Sequence, residues 1–314
     1  MPKPLAPAVA ATLAGAFFLG ILAVGNVATR HDRTAQPAVV TDAHGHVPAD
    51  SQVTASAPHV APPPLTERPT PGRSTHRPEV QLLRIQVRDV LPHDPEAFTQ
   101  GLEFHGTTLY ESTGLVGRSS VRAGPPGRAP TVRAELPAPL FGEGITVVGD
   151  RLWQLTWRDG IAIERDPRTL QERRRVTYQG EGWGLCHQRI AGQERLVMSD
   201  GTDRLTFRDP TTFAVTGGIS VRQDGRPVTG LNELECAPDG ALYANVHPTD
   251  TFKRIDPHTG VVTAHIDASA LLTPSEQRGA NQLNGIAAVP GTDLFLITGK
   301  NWPRAFRVAF VPSS

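Results

Sequence analysis

From residue 80 onward, apolar and polar residues alternate in short runs that are separated by turn signals. Five segments share one plan: a small or polar start, a short apolar run, a turn, and a second apolar run. They begin at residues 98, 141, 180, 231 and 282, and their turns carry HG, GD, AG, PDG and PGTD. Short alternating runs predict half-buried strands, and turns of this composition join the strands of hairpins. The pattern therefore predicts five β-hairpins.

A third strand-like stretch follows each predicted hairpin: SSVR, GIAIERD, RLTFRD, TFKRID and RAFRV. Alignment of the five units on Gln100, Glu143, Trp183, Asn232 and Asn284 gives successive spacings of 43, 40, 49 and 52 residues. Repeats of this length, built of three or four antiparallel strands, are typical of propeller blades. We therefore predict an all-β fold, a five-bladed β-propeller over residues 80–314. The stretch VQLLRIQVRDV should close the ring by pairing with the last blade. A β-sandwich is the weaker alternative.

The first 79 residues have a different composition. Residues 4–29 carry no charge, between Lys3 and Arg30, and are long enough to span a bilayer as an apolar helix. They predict a signal peptide or membrane anchor over residues 1–30; we favour the anchor, because the cleavage site at Ala23-Val24-Gly25 is weak. Residues 31–79, rich in Pro, Ala and Thr, predict a disordered linker. We expect an exported, extracytoplasmic protein that is either membrane-anchored or secreted.

The net charge of the chain indicates which classes of partner are disfavoured. The formal net charge is zero, which disfavours nucleic acid or an acidic membrane surface as the main partner, since both usually require a basic patch. We expect a monomer.

Cys186 and Cys236 are the two cysteines. In an exported protein they form either one disulfide or two separate buried thiols, and their spacing does not decide between these.

Equivalent positions of propeller blades converge on one channel, so the five aligned residues should form a ring. A second set ends the second strand of each hairpin and should lie at the same end: Thr113, Trp157, Asp200, His247 and Lys300. Together these groups suit a small polar substrate and acid–base chemistry. Structural roles compete with this interpretation. Glu143 could bond backbone amides or pair with Lys300, the tryptophans could be core residues, and Asp200 with Asp203 could bind a cation or form an Asx-turn.

The motifs FTQGL, LYESTG, FGEGIT, QLTW, GEGWGL, SDGTD, LNELE, ANV, LNGIA and ITGKNWP resemble those of the glutamine cyclotransferase family, over residues 85–308. The resemblance implies a five-bladed β-propeller that converts the N-terminal glutamine of a peptide or protein to pyroglutamate and releases ammonia. It also implies Glu143 as the catalytic glutamate, with these substrate-binding residues: Phe98, Gln100, Phe141, Trp157, Trp183, Asn232 and Lys300. His247 stands where the family usually has a tryptophan, and we include it among the substrate-binding residues.

In the mechanism we expect, Glu143 accepts a proton from the attacking α-amine and delivers one to the departing nitrogen. No cofactor or catalytic metal is required for this chemistry, while a structural calcium ion is compatible with a propeller. Two other classes of function remain as alternatives. One is a metal-dependent hydrolase of the lactonase-like propeller type, which needs oxygen ligands around a central ion. The other is a non-catalytic binding propeller.

Overall fold

The computed structural model describes residues 79–269 and 271–313. The predicted anchor or signal peptide (1–30) lies outside the described residues, as does the predicted linker (31–79) except for its last residue. All regular elements in the described ranges are β-strands, which confirms the all-β class. No helix among these residues is long and apolar enough to cross a membrane.

The chain enters the fold through a long strand and then forms three antiparallel four-stranded sheets, each in sequence order. The entering strand is β1 (Gln81–Pro92). The first sheet contains β2 (Thr99–His105), β3 (Thr108–Thr113), β4 (Ser120–Gly124) and β5 (Val132–Glu135). The second contains β6 (Gly142–Val148), β7 (Arg151–Thr156), β8 (Ile161–Arg165) and β9 (Glu172–Thr177). The third contains β10 (Leu185–Ile190), β11 (Gln193–Met198), β12 (Arg204–Arg208) and β13 (Val215–Ser220).

A two-residue ladder separates these sheets from the last and largest one. Its strands are β14 (Arg222–Gln223) and β15 (Arg226–Pro227). The remaining strands are β16 (Leu231–Cys236), β17 (Leu242–Val246), β18 (Thr251–Ile255), β19 (Val262–Asp267), β20 (Leu283–Ala288), β21 (Phe295–Gly299) and β22 (Arg304–Pro312). The five predicted hairpins and the five third strands are all present.

Strand β1 joins the two ends of the chain in an eight-stranded sheet with the order β16-β17-β18-β19-β1-β22-β21-β20. It pairs antiparallel with β22, where Ile85 lies opposite Phe310. This confirms the predicted closure onto the last repeat. On its other edge β1 pairs in parallel with β19, where Leu83 lies opposite Ile266, a contact that the sequence did not predict. The first and last strands of the described fold are therefore held by backbone ladders rather than left to fray.

The first strands of the repeats contact one another in a closed cycle, in the order β2, β6, β10, β16, β20 and back to β2. Apolar clusters fill the space between neighbouring sheets. Trp153, fully buried in one of them, packs on Phe213 with ring centroids 4.8 Å apart. Burying a large apolar side chain contributes about 1.5–3 kcal/mol. The cycle places the starts of the five strands close together.

A disulfide joins two of the central strands. Cys186 in β10 and Cys236 in β16 are bonded, with their Cα atoms 5.5 Å apart and a sequence separation of 50. The sequence left this pairing open against two separate thiols. The bond ties two repeats together directly, in addition to the packing between their sheets.

Candidate active site

Five buried polar residues lie where the first strands meet. Gln100 donates a hydrogen bond of 3.1 Å from Nε2 to Oε1 of Glu143. Its own Oε1 accepts one of 3.1 Å from Nδ2 of Asn284. Asn232 and Lys300 are also buried, with 4% and 6% of their surface exposed; Asn232 stands at the equivalent position of β16, and Lys300 lies close enough to Glu143 to affect its pKa. One hydrogen-bonded chain thus joins three of the residues that the repeats align: Gln100, Glu143 and Asn284.

Two glycines allow Glu143 to reach this position. A Cβ atom on Gly144 would lie 2.6 Å from both the Leu185 nitrogen and the Trp183 oxygen, and one on Gly142 would lie 2.7 Å from the Thr113 oxygen. Because such approaches are far inside van der Waals contact, only glycine lets β6 pack this closely against its neighbours. This close packing of the backbone places the Glu143 carboxylate among the first strands of the repeats.

The surroundings of Glu143 favour its protonated form. Burial raises the pKa of Glu143 well above its ordinary value, the charge of Lys300 opposes this rise, and the charge of Glu181 adds to it. Among the described residues, no cation lies within ion-pair distance of the Glu143 carboxylate, and its side-chain hydrogen bond is the one with Gln100. A simple structural ion pair with Lys300, and capping of backbone amides, therefore do not describe this carboxylate.

Lys300 is the cation of the group. Burial lowers the pKa of its ammonium, while Glu143 raises it in part, so that the net shift is downward. The Nζ atom lies 5.1 Å from the centroid of the Phe98 ring, a cation–π distance. This lysine also lowers the pKa of His247, in addition to the larger effect of burial.

Half-buried aromatic rings surround the polar residues. Phe141 lies between Phe98 and Trp157, at centroid distances of 6.3 and 5.5 Å. Trp183 meets the ring of His247 edge-on at 5.7 Å. These rings are partly exposed, whereas the core residue Trp153 is fully buried. Trp157 and Trp183 therefore do not behave as core aromatics, the structural role that their residue type favoured. We call the five polar residues and these rings the central cluster.

A carboxylate that sequence reasoning missed connects the two half-buried indoles. Oε2 of Glu181 accepts hydrogen bonds from Nε1 of Trp157 at 2.8 Å and from Nε1 of Trp183 at 2.9 Å. Its other oxygen accepts one from Arg158, whose guanidinium lies 3.9 Å from the centroid of the Trp157 ring. Glu181 stands in the same Gly-Glu-Gly context as Glu143, a local signal that could have identified it.

Two amide oxygens in the central cluster have no partner. Oδ1 of Asn232 and Oδ1 of Asn284 are buried and accept no hydrogen bond from any described residue. An unsatisfied buried polar group costs about 1–3 kcal/mol. Such oxygens are suited to accept N–H groups of a bound ligand.

Three comparisons with known proteins point to one family. Residues 64–310 match the family described as Glutamine cyclotransferase. The Arabidopsis thaliana protein named glutaminyl-peptide cyclotransferase is 38% identical over 237 residues, which cover 73% of this chain and 72% of that protein. The chain belongs to the glutamine cyclotransferase family. The crystal structure of Myxococcus xanthus glutaminyl cyclase is similar to this family member, with a TM-score of 0.66, 38% sequence identity, and coverage of 75% of this chain and 100% of that one.

In the described part of this family member, the side chains of two residues of the second predicted set make hydrogen bonds only with nearby residues of the sequence. Thr113 is buried, and its hydroxyl bonds the hydroxyl of Ser120 at 2.9 Å. Asp200 accepts hydrogen bonds from the backbone nitrogen and the hydroxyl of Thr202, at 3.0 and 2.6 Å, which is the Asx-turn that we weighed against cation binding. Within the described ranges, no group of three or more His, Cys, Asp or Glu side chains could hold a metal ion.

Proposed function

We propose that the protein is a glutaminyl-peptide cyclotransferase. Its substrates are peptides or proteins that begin with glutamine, and its products are the pyroglutamyl peptide and ammonia. The observation that carries the proposal is Glu143, a buried carboxylate with a raised pKa, held by an amide and surrounded by aromatic rings. The names of the Arabidopsis and Myxococcus relatives support the same activity.

The reaction begins with attack of the neutral α-amine on the side-chain amide carbon of the same residue. Because both groups belong to one glutamine, binding needs only to hold the folded-back rotamer. A free α-amine has a pKa of about 7.7–8.0, so a neutral fraction is present near neutral pH. Burial raises the pKa of Glu143, which makes its ionised carboxylate a stronger base towards the attacking amine than an ordinary glutamate.

Glu143 handles both protons of the reaction. The ionised carboxylate accepts a proton from the attacking nitrogen as the new C–N bond forms. The resulting carboxylic acid then protonates the amide nitrogen, and the bond between that nitrogen and the carbon breaks to release ammonia. At the end of the cycle Glu143 is again ionised, so that no external proton is consumed.

The other residues of the central cluster divide the remaining tasks. Gln100 donates to Glu143 and accepts from Asn284, so it orients Glu143, and its second N–H is left for the substrate. Lys300 supplies positive charge for the oxygen of the tetrahedral intermediate. The free Oδ1 of Asn232 accepts an N–H of the substrate. Trp157, Trp183 and the other rings exclude water, which favours cyclisation over hydrolysis.

The finer architecture that we propose is a five-bladed β-propeller. The closed cycle of five first strands supports it. So does the division of the eight-stranded sheet into two antiparallel runs, β16 to β19 and β20 to β22 with β1, that meet at the parallel pair of β1 and β19. With the three four-stranded sheets these runs make five units of four strands, the usual composition of a blade.

For the remainder of the chain we propose an exported protein. Residues 1–30 direct it to the membrane as an anchor or signal peptide, residues 31–79 link this segment to the fold, and residues 80–314 form the catalytic domain. The Cys186–Cys236 disulfide supports an extracytoplasmic, oxidising location. The enzyme acts as a monomer, does not bind nucleic acid, and needs no cofactor, while a bound calcium ion would be structural.

The purified full-length protein, incubated with a peptide that begins with glutamine, tests this function. We expect release of one ammonia per peptide and a matching loss of mass, with or without a chelator. The same peptide with an acetylated N-terminus should be inert, because it has no nucleophilic amine. Activity that a chelator abolishes would favour the metal-dependent hydrolase class, and a folded protein without product would favour a binding propeller.

A further inference from the structure

A buried network of charged side chains lies outside the central cluster. Both the Nε and an Nη atom of Arg122 donate to Oε2 of Glu111, at 2.9 and 2.7 Å, and the other Nη atom donates to Asp94 at 2.6 Å. Oε1 of Glu111 faces Nε2 of His93 at 3.1 Å. Glu111, Arg122 and the ring of His93 are almost completely buried.

The contacts of His93 define its protonation state. Nδ1 lies 2.7 Å from the backbone oxygen of Trp302, and Nε2 lies 3.1 Å from the Glu111 carboxylate. Both partners can only accept hydrogen bonds, and a neutral imidazole has one N–H. Only the imidazolium satisfies both contacts. Its charge completes a balanced set in which His93 and Arg122 are the cations and Glu111 and Asp94 the anions.

This network ties together two segments that carry residues of the central cluster. Oε1 of Glu111 also accepts a hydrogen bond of 2.7 Å from the hydroxyl of Thr99, which stands between Phe98 and Gln100. On the other side, His93 holds the Trp302 carbonyl, and its backbone nitrogen donates to the Pro303 oxygen at 3.0 Å. Trp302 follows Lys300 by two residues. The network is therefore bonded to the segment with Phe98 and Gln100, and to the segment with Lys300.

We infer that His93, as an imidazolium, is a positioning residue of the active site: it holds the Trp302 carbonyl and, through that segment, sets the place of Lys300. This inference rests on the proposed function. Loss of the ring proton removes the hydrogen bond from His93 to either Trp302 or Glu111 and loosens the network on that side, so that turnover falls on the alkaline side. Burial lowers the pKa of His93, but Glu111 and the Trp302 carbonyl together raise it by more, and Arg122 opposes them weakly. The cavity of about 370 Å³ that His93 and Glu111 line lets a proton reach the ring.

Two NMR titrations of the full-length protein test the inference without using activity. With isotope-labelled histidine, the His93 ring should carry two N–H groups at neutral pH and lose one only on the alkaline side. The sequence contains three lysines, at positions 3, 253 and 300, so labelled lysine should give few signals. The Lys300 signal should move with the His93 titration, and His93→Gln should abolish that movement. A neutral His93 ring at neutral pH, or a Lys300 signal indifferent to the substitution, would overturn the inference.

Turnover measurements on the same His93→Gln variant test the inference a second time. We expect His93→Gln to lower kcat about tenfold with little change in KM, since Lys300 acts on the developing oxyanion, and to lose the alkaline decline of the wild type. His93→Lys keeps a cation with several donors and should retain most of kcat, with the alkaline decline moved to higher pH. His258→Gln, at an exposed position, is the control and should match the wild type. If His93→Gln kept the kcat and the alkaline decline of the wild type, the positioning role would be contradicted. A wild type without any cyclisation would instead contradict the proposed function. In that case the NMR titrations would still decide the protonation state of His93.

Discussion

The side chains of Gln100 and Glu143 are joined by a hydrogen bond of 3.1 Å, in which the Gln100 amide donates to the Glu143 carboxylate. The two residues come from neighbouring repeats and lie 43 positions apart in sequence. Asn284, from a third repeat, holds the other end of the Gln100 amide. The orientation of the proposed catalytic carboxylate is therefore fixed across three repeats and does not depend on an ion pair.

Removal of the Gln100 amide should reduce turnover without unfolding the protein. In Gln100→Ala, Glu143 keeps its burial but loses its orienting donor, and a small misplacement of a reacting group costs about tenfold to a hundredfold in rate. We expect a loss of kcat in this range, measured as ammonia release from a glutamine peptide. Gln171→Ala, at an exposed position, should retain wild-type kcat. Wild-type kcat in Gln100→Ala would show that Glu143 is oriented by something else.

Glu181 should control substrate affinity through the two indoles that it holds. In Glu181→Ala the indole nitrogens of Trp157 and Trp183 lose their shared acceptor, and hydrogen bonds to charged groups contribute about 1.5–3 kcal/mol each. We expect KM to rise about tenfold or more. Because the charge of Glu181 raises the pKa of Glu143, the acidic limb of the pH–rate profile should also move to lower pH. Glu194→Ala, an exposed glutamate of β11, should change neither quantity.

The hairpins and the polar part of the site could be predicted from the sequence because both follow local rules. Turn signals between alternating runs fixed the strand pairs, and equivalent positions in the repeats placed Gln100, Glu143 and Asn284 together. Four of the fourth strands, β5, β9, β13 and β19, were not predicted, whereas β1 was. In β9 the reason is the lack of an apolar period, because the sequence ERRRVT is almost entirely exposed. The entries to β9, β13 and β19 are marked by Asp-Pro-x-Thr turns, where Asp166, Asp209 and Asp256 each accept bonds from two successive backbone N–H groups.

The rest of the site depends on contacts that no local pattern encodes. The buried network of Arg122, Glu111 and His93 joins strands β3 and β4 to the segment that follows β1. The shared carboxylate of Glu181 depends on how two repeats lie side by side. The identity of the Cys186–Cys236 pair likewise required the neighbouring positions of β10 and β16. Each of these three contacts joins segments that are distant in sequence. The residue types alone therefore do not show which residues are in contact.

The disulfide should contribute measurably to stability. For the separation of 50 residues between Cys186 and Cys236, loop-closure entropy gives about 4 kcal/mol. We expect the double variant Cys186→Ser, Cys236→Ser to lose a stability of this order in denaturant unfolding, while the folded fraction keeps its turnover. Treatment of the wild type with a reductant should produce the same loss and should leave the double variant unchanged. Equal stability of the oxidised and reduced wild type would contradict this account.

Glu103 should make the fold less stable as the pH rises. Burial, and to a lesser extent the charge of Glu235, raise the pKa of Glu103 to about 8. An unfolded glutamate ionises near pH 4.5. The contribution of Glu103 to the free energy of unfolding is therefore fully present below that pH and is lost as the pH rises towards 8. Between about pH 5 and pH 8 the wild type should therefore lose on the order of 3–4 kcal/mol more than Glu103→Gln. Denaturant unfolding at both pH values measures this difference.

The Glu103→Gln substitution is suited to the comparison because glutamine can still accept the hydrogen bond that Glu103 receives from the Val147 nitrogen at 3.0 Å. The control is Glu135→Gln at an exposed position, which should keep the pH dependence of the wild type. A Glu103→Gln variant with the wild-type dependence would mean that other groups cause the alkaline loss.

The substitution Glu143→Gln tests the central claim most directly. Glutamine preserves the size of the side chain and its polar contact with Gln100, but it cannot carry a proton between the two nitrogens of the substrate. General acid–base catalysis contributes about a hundredfold to ten-thousandfold. Measured as ammonia release from a glutamine peptide by the full-length protein, kcat should fall by at least about a hundredfold, with no loss of thermal stability and with Glu96→Gln as active as the wild type. Turnover close to that of the wild type in Glu143→Gln would contradict the account.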